Sequence, residues 1–332
     1  RASWPCPVYT DTYQQLVAQG ARPANATVPD LLSPAQIKQA NSRKAVLLIH
    51  GLTDSHFTYH DLAQVYYQQG YTVRTILLPG HGTAPAALRD IDADDWQKAS
   101  VYAIERTLKD FDQVILGGYS TGAALVIDYL TQGPVDNKIT AAMLFSPASE
   151  PHNKNGWLAK WVDAIPFVNW IDKDADLDFA KYESFPFSAA SASHEAMSRI
   201  SLDELRHRQL PNVAIFSTFS DVDTTIDNQA TFKILTKLHD PKTRKNNQLD
   251  RLVYYGDDNN IPASFPADYQ IIRDDCDTDD CKKIKGMSHI GIVNKPSNPY
   301  YGRTALYRNC GSYLDDDTLY TPCKYQKDVV MG

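Results

Sequence analysis

The sequence predicts an α/β fold, a mostly parallel sheet covered by helices on both faces. Three observations carry that prediction. Short, continuous apolar runs recur along the chain and alternate with segments of helical periodicity, as buried parallel strands and their crossover helices do. The runs are mostly bounded by Gly, Pro or other turn signals. The chain has 332 residues, 43% hydrophobic and 22% charged, enough apolar material for one large core and too little charge for bulk disorder.

The elements follow in order. AVLLIH (45–50) is the first buried strand, and HGLTDS follows it as a turn. Residues 59–69 read as a helix that Gly70 ends. TVRTILL (72–78) is the second strand, stopped by PGHG. Residues 93–110 form a helix with Trp96, Ala99, Ala103, Ile104 and Leu108 on one face. QVILGGY (113–119) is the third strand, followed directly by the helical TGAALVIDYLTQG. ITAAMLFS (139–146) and VAIFSTF (213–219) are the fourth and fifth strands, helix 225–238 comes next, and RLVYY (251–255) is the sixth strand. The rhythm breaks twice. Residues 149–210 form an insertion holding Trp157, Trp161, Phe167, Trp170, Phe179, Phe185 and Phe187, and residues 256–286 read as a polar, acidic inserted loop. The expected organisation is an N-terminal extension over 1–43, a core over 44–148 and 211–332, and a C-terminal extension over 295–332.

Composition excludes several function classes. Forty acidic against 33 basic residues give a net charge of −7, which argues against a nucleic-acid partner. Lys242, Arg244 and Lys245 are the densest basic cluster and read as a solvated face. No apolar run approaches the roughly 20 residues that span a bilayer. Cysteines in polar segments fit disulfides better than buried thiols. The expected pairs are Cys276–Cys281 and Cys310–Cys323, with Cys6 left over and other pairings open. The expected location is secreted or periplasmic, with lipid anchoring through a segment not present in this chain as a further option.

The chemistry centres on GYSTG at 118–122. Alone, G-x-S-x-G arises by chance in roughly one chain of this length in ten. Here an apolar strand precedes it and a helix follows, the setting a nucleophilic serine on a strand-to-helix turn requires. Ser120 is the candidate nucleophile. Its hydroxyl needs a base, and a histidine beyond a later strand supplies one. His289 in GMSHIGI fits best. His152, His194 and His207 fall in the insertion, and His239 ends a helix. The acid that orients the base belongs at the end of the fifth strand, in TFSDVDTTID. Asp223 is preferred because it directly precedes the next helix, and Asp221 stays as the alternative. Developing charge on a carbonyl oxygen needs fixed donors. The backbone N–H groups of Thr121 and of Leu52, in HGLTDS, are the candidates. His50 is expected to orient that loop.

No metal or other cofactor is expected. His56 and His60 have i, i+4 spacing but lack the acid of a HExxH site. DDCDTDDC (274–281) alternates Asp275, Asp277 and Asp279 but lacks the glycine and terminal glutamate of a calcium loop.

Taken together, HGLTDS, LPGHG, GGYSTG, the DxxI acid turn and SHIGI resemble the α/β-hydrolase superfamily, in the branch of monoacylglycerol lipases, carboxylesterases and lysophospholipases with serine-aminopeptidase-like members. The resemblance covers roughly residues 44–148 and 211–294. It implies Ser120, Asp223 and His289 as a triad, Leu52 and Thr121 as oxyanion donors, and a cap over the site formed by 149–210. It implies a serine carboxylester hydrolase acting on a lipid-like or short acyl ester, with thioesterase, acyltransferase, peptidase or non-catalytic binding as alternatives, and peripheral membrane contact through the cap. The stretch between acid and histidine is longer than this family needs, which is where 256–286 enters.

Overall fold

A computed structural model of the chain describes residues 32–151, 170–172, 178, 180–242, 244, 247–272, 287–295, 297–298 and 301. Its centre is an eight-stranded sheet of order β1-β3-β2-β4-β5-β8-β9-β10. The strands are β1 (Gln36–Ile37), β2 (Lys44–Ile49), β3 (Thr72–Thr75), β4 (Gln113–Tyr119), β5 (Ile139–Phe145), β8 (Ala214–Ser220), β9 (Arg251–Tyr255) and β10 (Gln270–Ile272). Only β1 runs antiparallel to its neighbour; the remaining pairs are parallel. A separate antiparallel pair joins β6 (Trp170–Asp172) to β7 (Phe185–Pro186).

Burial explains the continuous apolar runs. Ala45 to Ile49 are at most 1% exposed, because helices cover both faces of the sheet. The helices are α1 (His60–Gln68), α2 (Ala93–Asp110), α3 (Thr121–Thr131), α4 (Phe187–Ser198), α5 (Leu202–Leu205) and α6 (Asn228–Leu238). Asp92 caps α2 in a capping box with Asp95, and the buried face of α2 carries Trp96, Ser100, Ile104, Thr107 and Leu108. Asp227 caps α6 through the Ala230 N–H, so this helix starts three residues later than the sequence pattern indicates.

Four further features depart from the sequence reading. The second strand ends at Thr75, because the Leu78 N–H turns to the His50 ring instead of the ladder and Pro79 has no donor to continue it. The extension 1–43 contributes Gln36–Ile37 to the sheet edge and a buried Leu32. The stretch 256–286 is not only a loop: it supplies β10, and Phe265 and Tyr269 join the main core. Within the insertion, Ala189, Ala192, Ile200 and Leu205 belong to the same core as the sheet. The described part of that insertion is therefore packed into the body. Trp157, Trp161, Phe167 and Phe179 lie outside the described residues, as do all five cysteines and the acidic 274–281 segment.

At the end of the sheet away from the GYSTG turn, Asp250 is buried at 1% exposure with a dense set of partners. It accepts from Arg244 Nη1 at 2.6 Å and Nη2 at 3.0 Å, from the Ile215 N–H at 2.8 Å and from His239 Nδ1 at 2.8 Å. Arg244, expected on a solvated face, is instead buried in this ion pair and also donates to the carbonyls of Leu238 and Val213. One carboxylate thereby ties the starts of β8 and β9 to the end of α6.

Candidate active site

Ser120 sits between β4 and α3 with φ 55° and ψ −120°, a conformation that costs a non-glycine residue about 1–3 kcal/mol. The neighbouring glycines make the turn sterically feasible. A Cβ on Gly122 would lie 2.0 Å from the Ile49 carbonyl oxygen, and one on Gly118 would lie 2.4 Å from the Gly122 carbonyl oxygen. Backbone bonds then lock the turn. The Ser120 N–H donates to Phe145 O at 2.9 Å, and Ser120 O accepts from Ala123 at 2.9 Å and Ala148 at 3.1 Å.

The structure brings three of the predicted side chains into one hydrogen-bonded chain. Ser120 Oγ lies 2.9 Å from His289 Nε2, and His289 Nδ1 lies 2.6 Å from Asp223 Oδ2. The second Asp223 oxygen accepts the Thr225 N–H at 2.8 Å. The Asp223 side chain is fully buried while His289 keeps 12% exposure, so the imidazole meets solvent and the carboxylate does not. A carboxylate on Nδ1 fixes the tautomer that leaves Nε2 free to accept from the serine. His289 lies at the start of a short 3-10 turn (Ile290–Val293) that two anchors hold. The Met287 N–H donates to Ser220 Oγ at 3.1 Å. Asp61, on α1, accepts from the Lys295 N–H at 2.9 Å and from Asn298 Nδ2 at 2.7 Å.

Asp221, the alternative acid, lies apart from this hydrogen-bonded chain. It points into a neighbouring turn, where Oδ2 accepts from the Asp257 N–H at 2.9 Å and Asn260 Nδ2 at 3.0 Å, while Asp223 meets His289. Two residues along an irregular strand end suffice to aim the two carboxylates apart.

The loop after β2 passes beside the serine, where a Cβ on Gly51 would lie 2.9 Å from Ser120 Cβ. Two buried histidines hold this loop. His50 Nδ1–H donates to Gly51 O at 2.8 Å and Nε2 accepts the Leu78 N–H at 3.0 Å. His81 Nε2 accepts the Thr53 N–H at 3.1 Å, and Nδ1–H donates to the Pro79 carbonyl at 3.1 Å. Each ring uses one nitrogen as acceptor and one as donor, so each is neutral. Burial accordingly drives the His50 pKa well below its ordinary range and lowers that of His81 to about 4. Neither His50 nor His81 joins His56 and His60 in a metal site; among the described residues no group of three or more His, Cys, Asp or Glu could hold an ion. The N–H groups of Leu52 and Thr121 have no hydrogen-bond partner among the described residues. Donors left without a partner beside a nucleophile are what an oxyanion site requires.

The family model described as serine aminopeptidase, S33 matches residues 40–238, which is more than half of the chain. The chain belongs to that family. Among solved structures, this S33-family hydrolase is similar to one from the metagenome-derived lipolytic enzymes LipS and LipT. That match has 20% identity and a TM-score of 0.55, and covers 67% of this chain and 86% of that one. It is also similar to a soluble variant of the monoglyceride lipase of Saccharomyces cerevisiae, at 16% identity, 67% and 82% coverage and a TM-score of 0.54. A third is the monoacylglycerol lipase of Paleococcus ferrophilus, at 18% identity, 68% and 88% coverage and a TM-score of 0.53. These likenesses establish the α/β-hydrolase fold.

Sequence reasoning missed several residues that shape the S33-family site. Asp61 and Thr225 act through anchors that no motif marks. Tyr119 packs its ring 5.1 Å from that of His289. Asp54, in the loop after β2, is 5% exposed, and burial raises its pKa to about 7, helped by nearby Asp178 and opposed by Lys181. A carboxyl raised above its ordinary value keeps its proton when folded over a pH range where the unfolded chain has released it. Its contribution to stability is therefore lost as pH rises from about 4 to about 7. Asp54→Asn removes this loss. The variant should match the parent in urea denaturation at pH 4 and exceed it by about 2–4 kcal/mol at pH 8. Parallel stability curves for the two proteins would refute the assignment.

Proposed function

We propose that the protein hydrolyses carboxylic esters of lipid-like or short acyl chains through an acyl-enzyme on Ser120. The observation that carries this reading is the Ser120–His289–Asp223 chain, set at a helix N-terminus beside two N–H groups that have no partner among the described residues. His289 Nε2 takes the Ser120 proton as Oγ adds to the ester carbonyl. The charge on the carbonyl oxygen falls to the N–H groups of Thr121 and Leu52. The tetrahedral species expels the alcohol, which leaves with the proton held by His289. Water then adds to the acyl-enzyme with His289 again as base, and the acid departs as Ser120 recovers its proton. Asp223 stabilises the imidazolium in both halves.

The ester preference is carried over from the lipolytic structural neighbours. The family description names an aminopeptidase, and the same triad can open an amide, so bond type is part of the test. Purified protein is offered p-nitrophenyl esters of increasing acyl length, matched thioesters and aminoacyl amides. The reading expects esters to be turned over fastest, with a maximum along the acyl series. Amides turned over faster than esters would replace it with the peptidase reading.

The same proposal places the protein in an oxidising compartment, supported by four of the five cysteines lying in polar segments. Thiol titration of the denatured, unreduced chain should find one free thiol, and five would overturn that placement.

A further inference from the structure

The two N–H groups assigned to the oxyanion come from loops far apart in sequence, and both loops are bonded to the same segment, residues 180–198. On the Leu52 side, the Tyr182 N–H donates to Thr53 O at 2.8 Å. The Tyr182 hydroxyl donates to Gly80 O at 3.0 Å and accepts the Thr83 N–H at 2.8 Å. Its ring stacks on His81 at 6.2 Å, and His81 holds the Thr53 N–H. Thr53, at φ 66°, is thus fixed at both its N–H and its carbonyl.

The Thr121 side has a different problem. A helix is normally secured at its start by the side chain of the N-cap residue. Here the N-cap is Ser120 itself, whose hydroxyl faces His289 and makes no cap bond. The first turn of α3 needs another tether if the Thr121 N–H is to keep its direction. One is present. Thr121 Oγ1 and Ser193 Oγ share a hydrogen bond of 3.1 Å, and the two residues are 1% and 5% exposed. Ser193 is carried by α4, which Ala189 and Ala192 fix against the main core.

We propose that Ser193 is a positioning residue, which through the Thr121 hydroxyl aims the Thr121 N–H at the developing oxyanion. This rests on the assignment of Ser120 as nucleophile. The 180–198 segment then sets both halves of the oxyanion site.

The test compares Ser193→Ala, Thr121→Val, their double variant and Thr121→Ser, which keeps the hydroxyl. Two quantities are read: steady-state constants on a p-nitrophenyl ester across a pH series, and the rate constant of inactivation by a fluorophosphonate. Removing an oxyanion donor outright costs about 10²–10³ in kcat, so misaiming one should cost about tenfold. Ser193→Ala and Thr121→Val should each lose that much kcat with KM and the pH midpoint unchanged. The double variant should lose no more than either single one, because one bond is broken in all three. Thr121→Ser, which keeps the hydroxyl, should recover most of the kcat that Thr121→Val loses, and inactivation rates should fall in parallel with kcat. If Ser193→Ala fails to fold, Thr121→Val against Thr121→Ser carries the same comparison.

Parental kcat in Ser193→Ala, losses that multiply in the double variant, or a change in KM alone would overturn the proposal. A parent protein that reacts with the fluorophosphonate but turns over no ester would defeat the ester reading instead, and the inactivation rates would still decide the role of Ser193. A parent that does neither defeats both.

Discussion

Ser120→Ala should lower kcat on a p-nitrophenyl ester by a factor on the order of 10⁴–10⁶, and His289→Ala by a similar factor. The reason is cooperative. The hydroxyl is a nucleophile only while Nε2, 2.9 Å away, takes its proton, so removing either partner removes the same step. What remains is the rate the oxyanion donors and substrate binding support alone. The double variant should be no worse than the singles. Asp223→Asn should cost roughly 10⁴-fold, because an amide on Nδ1 favours the wrong imidazole tautomer. Asp221→Asn separates the two carboxylates. Its partners are the Asp257 N–H and Asn260, so kcat should change by less than about threefold. Steady-state kinetics on the five variants, with circular dichroism to establish folding, decides the point. Equal losses at Asp221 and Asp223 would show that the acid loop adopts another arrangement during turnover.

The largest stability effect is expected far from the chemistry, at Asp250. Asp250→Ala leaves the fully buried Arg244 guanidinium without its carboxylate and strips the Ile215 N–H and His239 of their acceptor. Breaking a buried pair from one side costs about 3–5 kcal/mol. In a chain of 332 residues that is a fall of roughly 4–7 °C in Tm. The ends joined by Asp250 are those of β8, β9 and α6, and β8 leads to the Asp223 turn. The variant should still turn over substrate at low temperature, where it remains folded, and should lose activity early on heating. Differential scanning calorimetry measures the shift. A change of less than about 1 °C would mean that Arg244 finds another anion or water in the variant.

The strands at the centre of the sheet were legible because they are buried on both faces, and continuous apolar runs such as Ala45–Ile49 have few other uses. The edges were not. Gln36–Ile37 and Gln270–Ile272 are two and three residues long, and nothing in their composition separates them from loop. Ile76 still donates to Leu48 O, but Leu77 and Leu78 extend an apolar run outside the sheet, because the His50 ring takes the Leu78 N–H. Ser120 was legible through its setting of strand, turn and helix, and His289 through elimination. What parts Asp221 from Asp223 in the structure is the Asp257–Asn260 turn, whose fold the sequence does not display. Ser193, Tyr182 and Asp61 were invisible for another reason. Each acts through a contact tens to hundreds of residues away along the chain, and none belongs to a local pattern.

The proposed hydrolysis requires that one serine, Ser120, carries the covalent chemistry. Intact-mass analysis after reaction with a fluorophosphonate, followed by peptide mapping, tests it most directly. A single adduct on the peptide holding Ser120, absent from Ser120→Ala and formed in step with the loss of ester turnover, is the predicted result. An adduct that persists in Ser120→Ala, or esterase activity that survives full modification of Ser120, would contradict the account.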